Sequence, residues 1–199
     1  MLFGARRQRR VPLVFEARNW EHGTFLGATL SSETTAAATG KVGELRRDPM
    51  AMLPFCGYNM GDYFGHWLEV GKKLKSPPRI FRVNWFRTDE KGKFIWPGFG
   101  DNLRVLEWIL DRCEGKGKAI DTPVGLIPSL DGINRAGLKV SDGVMASLLN
   151  IDPAEWIEAI EGQEGFMKSY GTRMPKSMWD QHNELAKRIK DSAGLAVNR

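Results

Sequence analysis

The chain has 199 residues, enough for one ordinary domain with a substantial core. Hydrophobic residues make up 42% and charged residues 27%, a globular balance. No apolar run is long enough to span a bilayer or to serve as a secretory signal, so the reading is a cytoplasmic chain with no membrane partner. Cys56 and Cys113 form no Cys-x-x-Cys pair, which excludes a disulfide framework and a cysteine-rich zinc site and leaves two buried thiols as the expectation. A net charge of +5, from 29 Lys and Arg against 24 Asp and Glu, favours anionic partners, phosphates first.

In chain order, Arg6, Arg7, Arg9 and Arg10 lead into an apolar strand over residues 11–17. The arginines read either as a basic entry to that strand or as a bidentate grip on phosphate. With no reading helix or stacking-sheet signature beside them, nucleic acid is not expected as a partner. Residues 23–29 read as a second strand and 79–87, "RIFRVNWFR", as a third, which implies a mixed or antiparallel sheet. Between them, "SSETTAAATGKVGELRR" offers little to a core and reads as a mobile loop or a short alanine-rich helix. Residues 62–75 follow a helical period that ends at Pro77-Pro78. A second helix runs after "FGDN", with Leu103, Leu106, Ile109, Leu110 and Cys113 on one face, Asp101 or Asn102 as its cap, and Gly115 as its stop. Three more helices start at Ser141, at Asp152-Pro153 and near Pro175, and the "AGLAVNR" end is expected to fray.

Local catalytic motifs are missing. No Gly-x-x-x-x-Gly-Lys-[Ser/Thr] stretch occurs, "GFGDNL" lacks the third glycine of a dinucleotide fingerprint, His22, His66 and His182 are scattered, and no serine sits in a nucleophile elbow. What stands out is "KFIWPGFGDN". Phe86, Phe94 and Phe99 surround Trp96-Pro97-Gly98, where a turn can gather aromatic faces to stack a planar base. Stacking contributes about 1–3 kcal/mol per base without choosing among bases, so selectivity needs a group such as the Asn102 amide. The same residues also read as ordinary core with a helix cap, and on pattern alone that is the stronger reading. Both stay open.

The stretch "VNWFRTDEKGKFIWPGFGDNLRVLEWILDR" resembles the C-terminal nucleotide-binding region of GTP-dependent phosphoenolpyruvate carboxykinases. The likeness continues through "FGARRQRRVPLVFEARNWEHGTFLGATLSSETTAAATGKVGELRRDPMAMLPFCGYNMGDYFGHW" and, more weakly, to the helical end. It implies an α/β fold, a mixed sheet with flanking helices, with residues 1–199 forming the C-terminal part of a GTP-binding, lid-bearing mononucleotide domain. It also implies that Phe86, Phe94 and Phe99 wall a guanine slot, that Asn102 reads the base with Gly100 and Asp101 beside it, and that Arg6 contacts nucleotide phosphate, while Arg7 is structural. Thr34, Thr35, Ala36, Ala37, Ala38, Thr39, Gly40, Lys41, Val42, Gly43 and Glu44 would form the family's Ω-loop lid.

The chain departs from the family at Ala5 and Gln8, where glycine and proline are usual, and from its vertebrate-like members at Ser31 and Thr39, where those carry an arginine and an acidic residue. The family's reaction converts oxaloacetate and GTP to phosphoenolpyruvate, CO2 and GDP with Mn2+ or Mg2+. Its phosphate loop, metal ligands and oxaloacetate-binding arginines lie upstream of the matched region. The resemblance therefore implies a chain that binds GTP or GDP but is inactive alone. A non-catalytic guanine-nucleotide binder and a remnant are the other readings. The family is monomeric, and a sheet lacking neighbours would favour self-association.

Overall fold

Short extended segments far apart in the sequence meet in a mixed five-stranded sheet, with helices packed around it, in a computed structural model that describes residues 1–35 and 43–197. Its strands are β1 (Leu2–Gly4), β2 (Val14–Glu16), β5 (Phe81–Val83), β6 (Ile120–Thr122) and β7 (Gly125–Ile127), in the spatial order β1-β5-β2-β7-β6. A separate antiparallel pair joins β3 (Ser31–Glu33) to β4 (Leu45–Arg47). β5 runs parallel to β1 and antiparallel to β2, so Val83 lies between Gly4 and Val14. Every residue of β2 and β5 is buried. That explains their near-continuous apolar runs, since a strand covered on both faces has no solvent side to mark with polar residues.

Glu16 is 3% exposed at the sheet centre and is tolerated there because Arg79 Nη1 and Arg112 Nε donate to its two oxygens at 2.5 and 2.6 Å. The expected strand over residues 11–17 thus narrows to β2, and that over 79–87 to β5 followed by extended chain. β1, β6 and β7 carry no sequence signal, because three residues are too few to show a period.

The expected strand over residues 23–29 is instead a helix, α1 (Trp20–Ala28). Asn19 caps it by accepting the His22 N–H at 2.8 Å, and the helix is buried nearly all round, so no polar stripe reveals its period. Its glycines are there for close packing. A Cβ on Gly23 would lie 2.3 Å from Ile80 Cδ1, and one on Gly27 would lie 2.7 Å from the Phe3 ring. α2 (Met60–Lys73) begins two residues before the expected start, with Asn59 accepting the Gly61 N–H at 2.8 Å.

α3 (Asn102–Cys113) forms where expected but turns a different face inward. Val105 and Trp108 are buried and Arg112 reaches Glu16, whereas Leu103 and Leu110 are 67% and 62% exposed. Trp108 decides the rotation. It carries the largest apolar surface of the helix, packs edge-on to Phe81, and donates its indole N–H to Lys118 O at 3.0 Å. The same rotation leaves Cys113 exposed, and Cys56 is only partly covered, so neither thiol is fully buried as expected.

α4 (Asp142–Leu149) and α5 (Pro153–Lys168) start behind the Ser141 and Asp152 caps, and α6 (Lys176–Val197) follows Pro175. Among the described residues no helix is long and apolar enough to cross a membrane.

Candidate functional site

The chain leaving β5 is pinned by a buried amide. Asn84 is fully buried. Its Oδ1 accepts the N–H groups of Arg7 and Phe86 at 3.2 and 3.3 Å, and its Nδ2 donates to the carbonyls of Arg7 and Val11 at 2.8 and 2.9 Å. One side chain thereby replaces strand pairing over the "ARRQRRV" segment and fixes Arg6 beside Phe86. The Arg6 guanidinium lies 4.2 Å above the Phe86 ring and 5.6 Å from that of Phe94.

Phe94 arrives through a tight hairpin. Asp89 Oδ1 accepts the N–H groups of Lys91 and Lys93, both at 2.9 Å, Gly92 supplies a positive φ of 78°, and Thr88 bridges to Phe94. The Phe86 and Phe94 rings then meet edge-on, 5.8 Å apart.

The next turn separates core from surface. Trp96 is 2% exposed and is core, whereas Phe94 is 48% and Phe99 98% exposed. Gly98 and Phe99 both have positive φ, 73° and 43°. A phenylalanine in that region is strained, at a cost of order 1–3 kcal/mol, and packing returns nothing for a ring held in water. The core reading of the aromatics therefore holds for Trp96 and fails for Phe99. No ring pair joins Phe99 to Phe86 or Phe94 among the described residues, so the structure gathers Arg6, Phe86 and Phe94 and leaves Phe99 standing apart.

Asp101 stands at the N-cap position of α3 as expected, but its side chain makes no capping hydrogen bond and Asn102 is already helical. A 3-10 turn over Phe99–Asp101 runs straight into the helix, and Asp101 accepts from Arg104 Nε at 2.8 Å. Asn102 Oδ1 instead accepts the Trp96 indole N–H at 2.8 Å. That bond fixes which way the carboxamide points and leaves Nδ2 as a donor with no partner among the described residues. Gly100 is exposed on the same turn.

The proposed lid rises from the β3–β4 pair. Its stem closes where Thr34 N donates to Glu44 O at 2.9 Å and Gly43 N to Thr34 O at 3.0 Å, with Thr35 beyond. Ala36, Ala37, Ala38, Thr39, Gly40, Lys41 and Val42 lie outside the described residues. The stem is tied to the arginine segment: Arg6 N donates to Ser32 Oγ at 3.2 Å, Glu33 N to Arg6 O at 2.9 Å, and Arg7 Nη1 to Ser31 Oγ at 2.8 Å. Gln8 N donates to both oxygens of Glu33 at 3.1 and 3.0 Å, a contact that proline at this position would lack.

The profile described as the phosphoenolpyruvate carboxykinase C-terminal P-loop domain matches residues 1–188. The chain belongs to this carboxykinase family. It is 48% identical to the phosphoenolpyruvate carboxykinase [GTP] of Anaeromyxobacter dehalogenans over 190 residues, 96% of this chain and 32% of that protein. Identity to the protein of the same name from Treponema pallidum is also 48%, over the whole chain and 33% of the relative. The chain thus spans about a third of the length of the curated carboxykinases it matches.

The divalent cation of the carboxykinase reaction finds no fit here. Among the described residues no three His, Cys, Asp or Glu side chains come together as a metal site would require, so no step is assigned to a metal on this chain. The roles of two residues that shape the site escaped the sequence reading. Asn84, a polar residue inside an apolar strand run, carried a usable signal. Trp96 did not, because nothing local says that its N–H meets an amide six residues on.

Proposed function

We propose that this chain is the guanine-nucleotide-handling portion of a cytoplasmic GTP-dependent phosphoenolpyruvate carboxykinase, and that it binds GTP and GDP without catalysing the complete reaction. The observation that carries the reading is the Trp96–Asn102 hydrogen bond beside a strained, exposed Phe99. With Oδ1 occupied, Asn102 offers a donor. Guanine presents an acceptor, O6, at the position where adenine carries an amino group, so this donor fits guanine and meets another donor in adenine.

Phe86, Phe94 and Phe99 would supply stacking, Gly100 and Asp101 the backbone of the base-side rim, and Arg6 the phosphate contact. Leaving Phe86 costs Arg6 about 0.5–2 kcal/mol at a half-buried cation–π contact, which a charge-assisted phosphate bond offsets. The segment Thr34 to Glu44, on its hairpin stem, would close over the bound nucleotide and exclude water from phosphoryl transfer. Oxaloacetate, phosphoenolpyruvate and the Mn2+ or Mg2+ ion belong to the complete enzyme.

Titration with GTP and ATP, read by tryptophan fluorescence from Trp85 and Trp96, tests the proposal. GTP should bind more tightly. Asn102→Ala should narrow the preference by about 0.5–1.5 kcal/mol, while Phe99→Ala should weaken both nucleotides together. Equal affinities, unchanged by Asn102→Ala, would show that the slot does not read guanine.

A further inference from the structure

A second group of arginines meets between the sheet, the β3–β4 hairpin and α5, and the guanine slot uses none of them. Arg82 of β5, Arg7, Arg47 of β4, Ser31 of β3, and Trp156 and Gln163 of α5 wall a cavity of about 140 Å³. Arg10 and Glu158 also border it but pair with each other.

The donors are not matched by acceptors. Arg82 is 3% exposed, its Nε has no partner, and its guanidinium makes no hydrogen bond or ion pair among the described residues. Arg47, half-buried, has no carboxylate partner among the described residues and lies 5.5 Å from the Phe166 ring. Arg7 pairs with Glu33 at 3.5 Å and donates Nη1 to Ser31 Oγ, but its buried Nε makes no hydrogen bond. On the α5 wall the buried Trp156 Nε1–H and Gln163 Oε1 are also without partners, and rotating the Gln163 amide would turn its NH2 toward the same space.

Buried polar groups are almost always satisfied, and buried charges are paired. A cluster that leaves the buried Nε–H groups of Arg82 and Arg7 and an indole N–H without hydrogen bonds in one cavity, beside the half-buried charge of Arg47, calls for an anion. Burial pushes Arg82 down to about 9, with Arg7 and Arg47 adding to the fall, and burial lowers Arg7 and Arg47 as well. One shared counter-charge would relieve all three.

We propose that this cavity binds a small tetrahedral oxyanion of the phosphate class, held by Arg82, Arg7 and Arg47 with the Trp156 N–H. Its volume is well below the ~300–1,000 Å³ of pockets that take drug-sized ligands, which excludes a nucleotide and suits a single ion. Donors arriving from three separate elements suit an ion with oxygens in several directions better than a planar carboxylate, and guanidinium is the side chain best shaped to grip phosphate. Because Ser31 and Arg47 face each other across the β3–β4 register, the bound ion would join that hairpin to the sheet and to α5.

The test is a 1H–15N titration of the 199-residue chain with inorganic phosphate at constant ionic strength, following the Trp156 indole resonance assigned with Trp156→Phe. A saturable shift is expected, weakened about tenfold or more in Arg82→Met, with acetate binding at least about tenfold more weakly than phosphate. Arg47→Met, on the hairpin side of the cavity, should weaken phosphate in the same direction and serves if Arg82→Met does not fold. The proposal is overturned by a shift that never saturates, by acetate binding as well as phosphate, which would mark a carboxylate-receiving pocket, or by phosphate affinity unchanged in the folded variants.

Discussion

Asn84→Ala should destabilise the chain more than any single substitution on its surface. The four hydrogen bonds of the Asn84 amide are worth about 1 kcal/mol each in net terms, and all of their partners are backbone groups. The partners are the N–H groups of Arg7 and Phe86 and the carbonyls of Arg7 and Val11. Truncation strands them where Asn84 itself has no solvent exposure. A stranded buried group costs about 1–3 kcal/mol, but water entering the space left by the amide would recover part of that, so the expected loss is about 3–5 kcal/mol. Urea unfolding of wild type and variant at pH 7, followed by far-ultraviolet circular dichroism, measures it. Asn84→Asp sharpens the test, because it keeps the acceptors for the two N–H groups and turns a lone pair toward the two carbonyls. It should be destabilised at neutral pH and recover as the carboxylate is protonated in acid. A loss under about 1 kcal/mol in Asn84→Ala would show that the arginine segment is held by something other than this amide.

The chain should also lose stability in mild acid through His22. Burial, with Arg18 and then Arg188 adding to it, pushes this imidazole down to about 3, while the unfolded side chain titrates near 6.5, so the stability it confers is complete above pH 6.5 and drains as pH falls toward 3. From pH 7 to pH 5 the loss should be about 2 kcal/mol, and His22→Asn, which keeps an acceptor for the Arg18 N–H, should flatten the curve; an unchanged slope in that variant would place the acid sensitivity elsewhere. Phe99→Gly should leave stability unchanged or raise it by up to about 1 kcal/mol by relieving the positive φ, while weakening GTP and ATP together. Thermal melts and nucleotide titrations on one preparation would check both, and a clear destabilisation would mean that the Phe99 ring packs on something in the fold.

Much of the fold was legible because long helices advertise themselves. Ser141 and Asp152-Pro153 mark two starts with side chains that accept N–H groups of the first turn, whereas the start of α2 behind Asn59 was placed two residues late. α1 was misread as a strand because its two glycines and its burial on nearly all sides erase both the propensity and the period that identify a helix. The inward face of α3 was misjudged because counting apolar positions treats Leu103 and Trp108 alike. Packing does not: an indole whose N–H must reach Lys118 O outweighs two leucines that can remain in water.

The candidate site was legible as a set of residue types and not as an arrangement. The sequence placed three phenylalanines and an amide near one turn, and the family resemblance added Arg6, but whether the aromatics formed core or surface depended on φ at Phe99 and on the partner of Asn102, and neither is written locally in the chain. Trp96 shows why. Its ring is core, as the pattern favoured, yet its N–H orients the amide that would read a base, so one side chain serves both of the readings that the sequence set against each other. Arg7 and Arg6 divide in the opposite way. Identical neighbours in sequence, they go to different surroundings because Asn84 fixes the backbone between them: Arg6 onto Phe86, and Arg7 inward to Ser31 and the unmatched guanidinium of Arg82. Charge counting sums such residues, whereas their chemistry depends on which side of a single buried amide each one leaves.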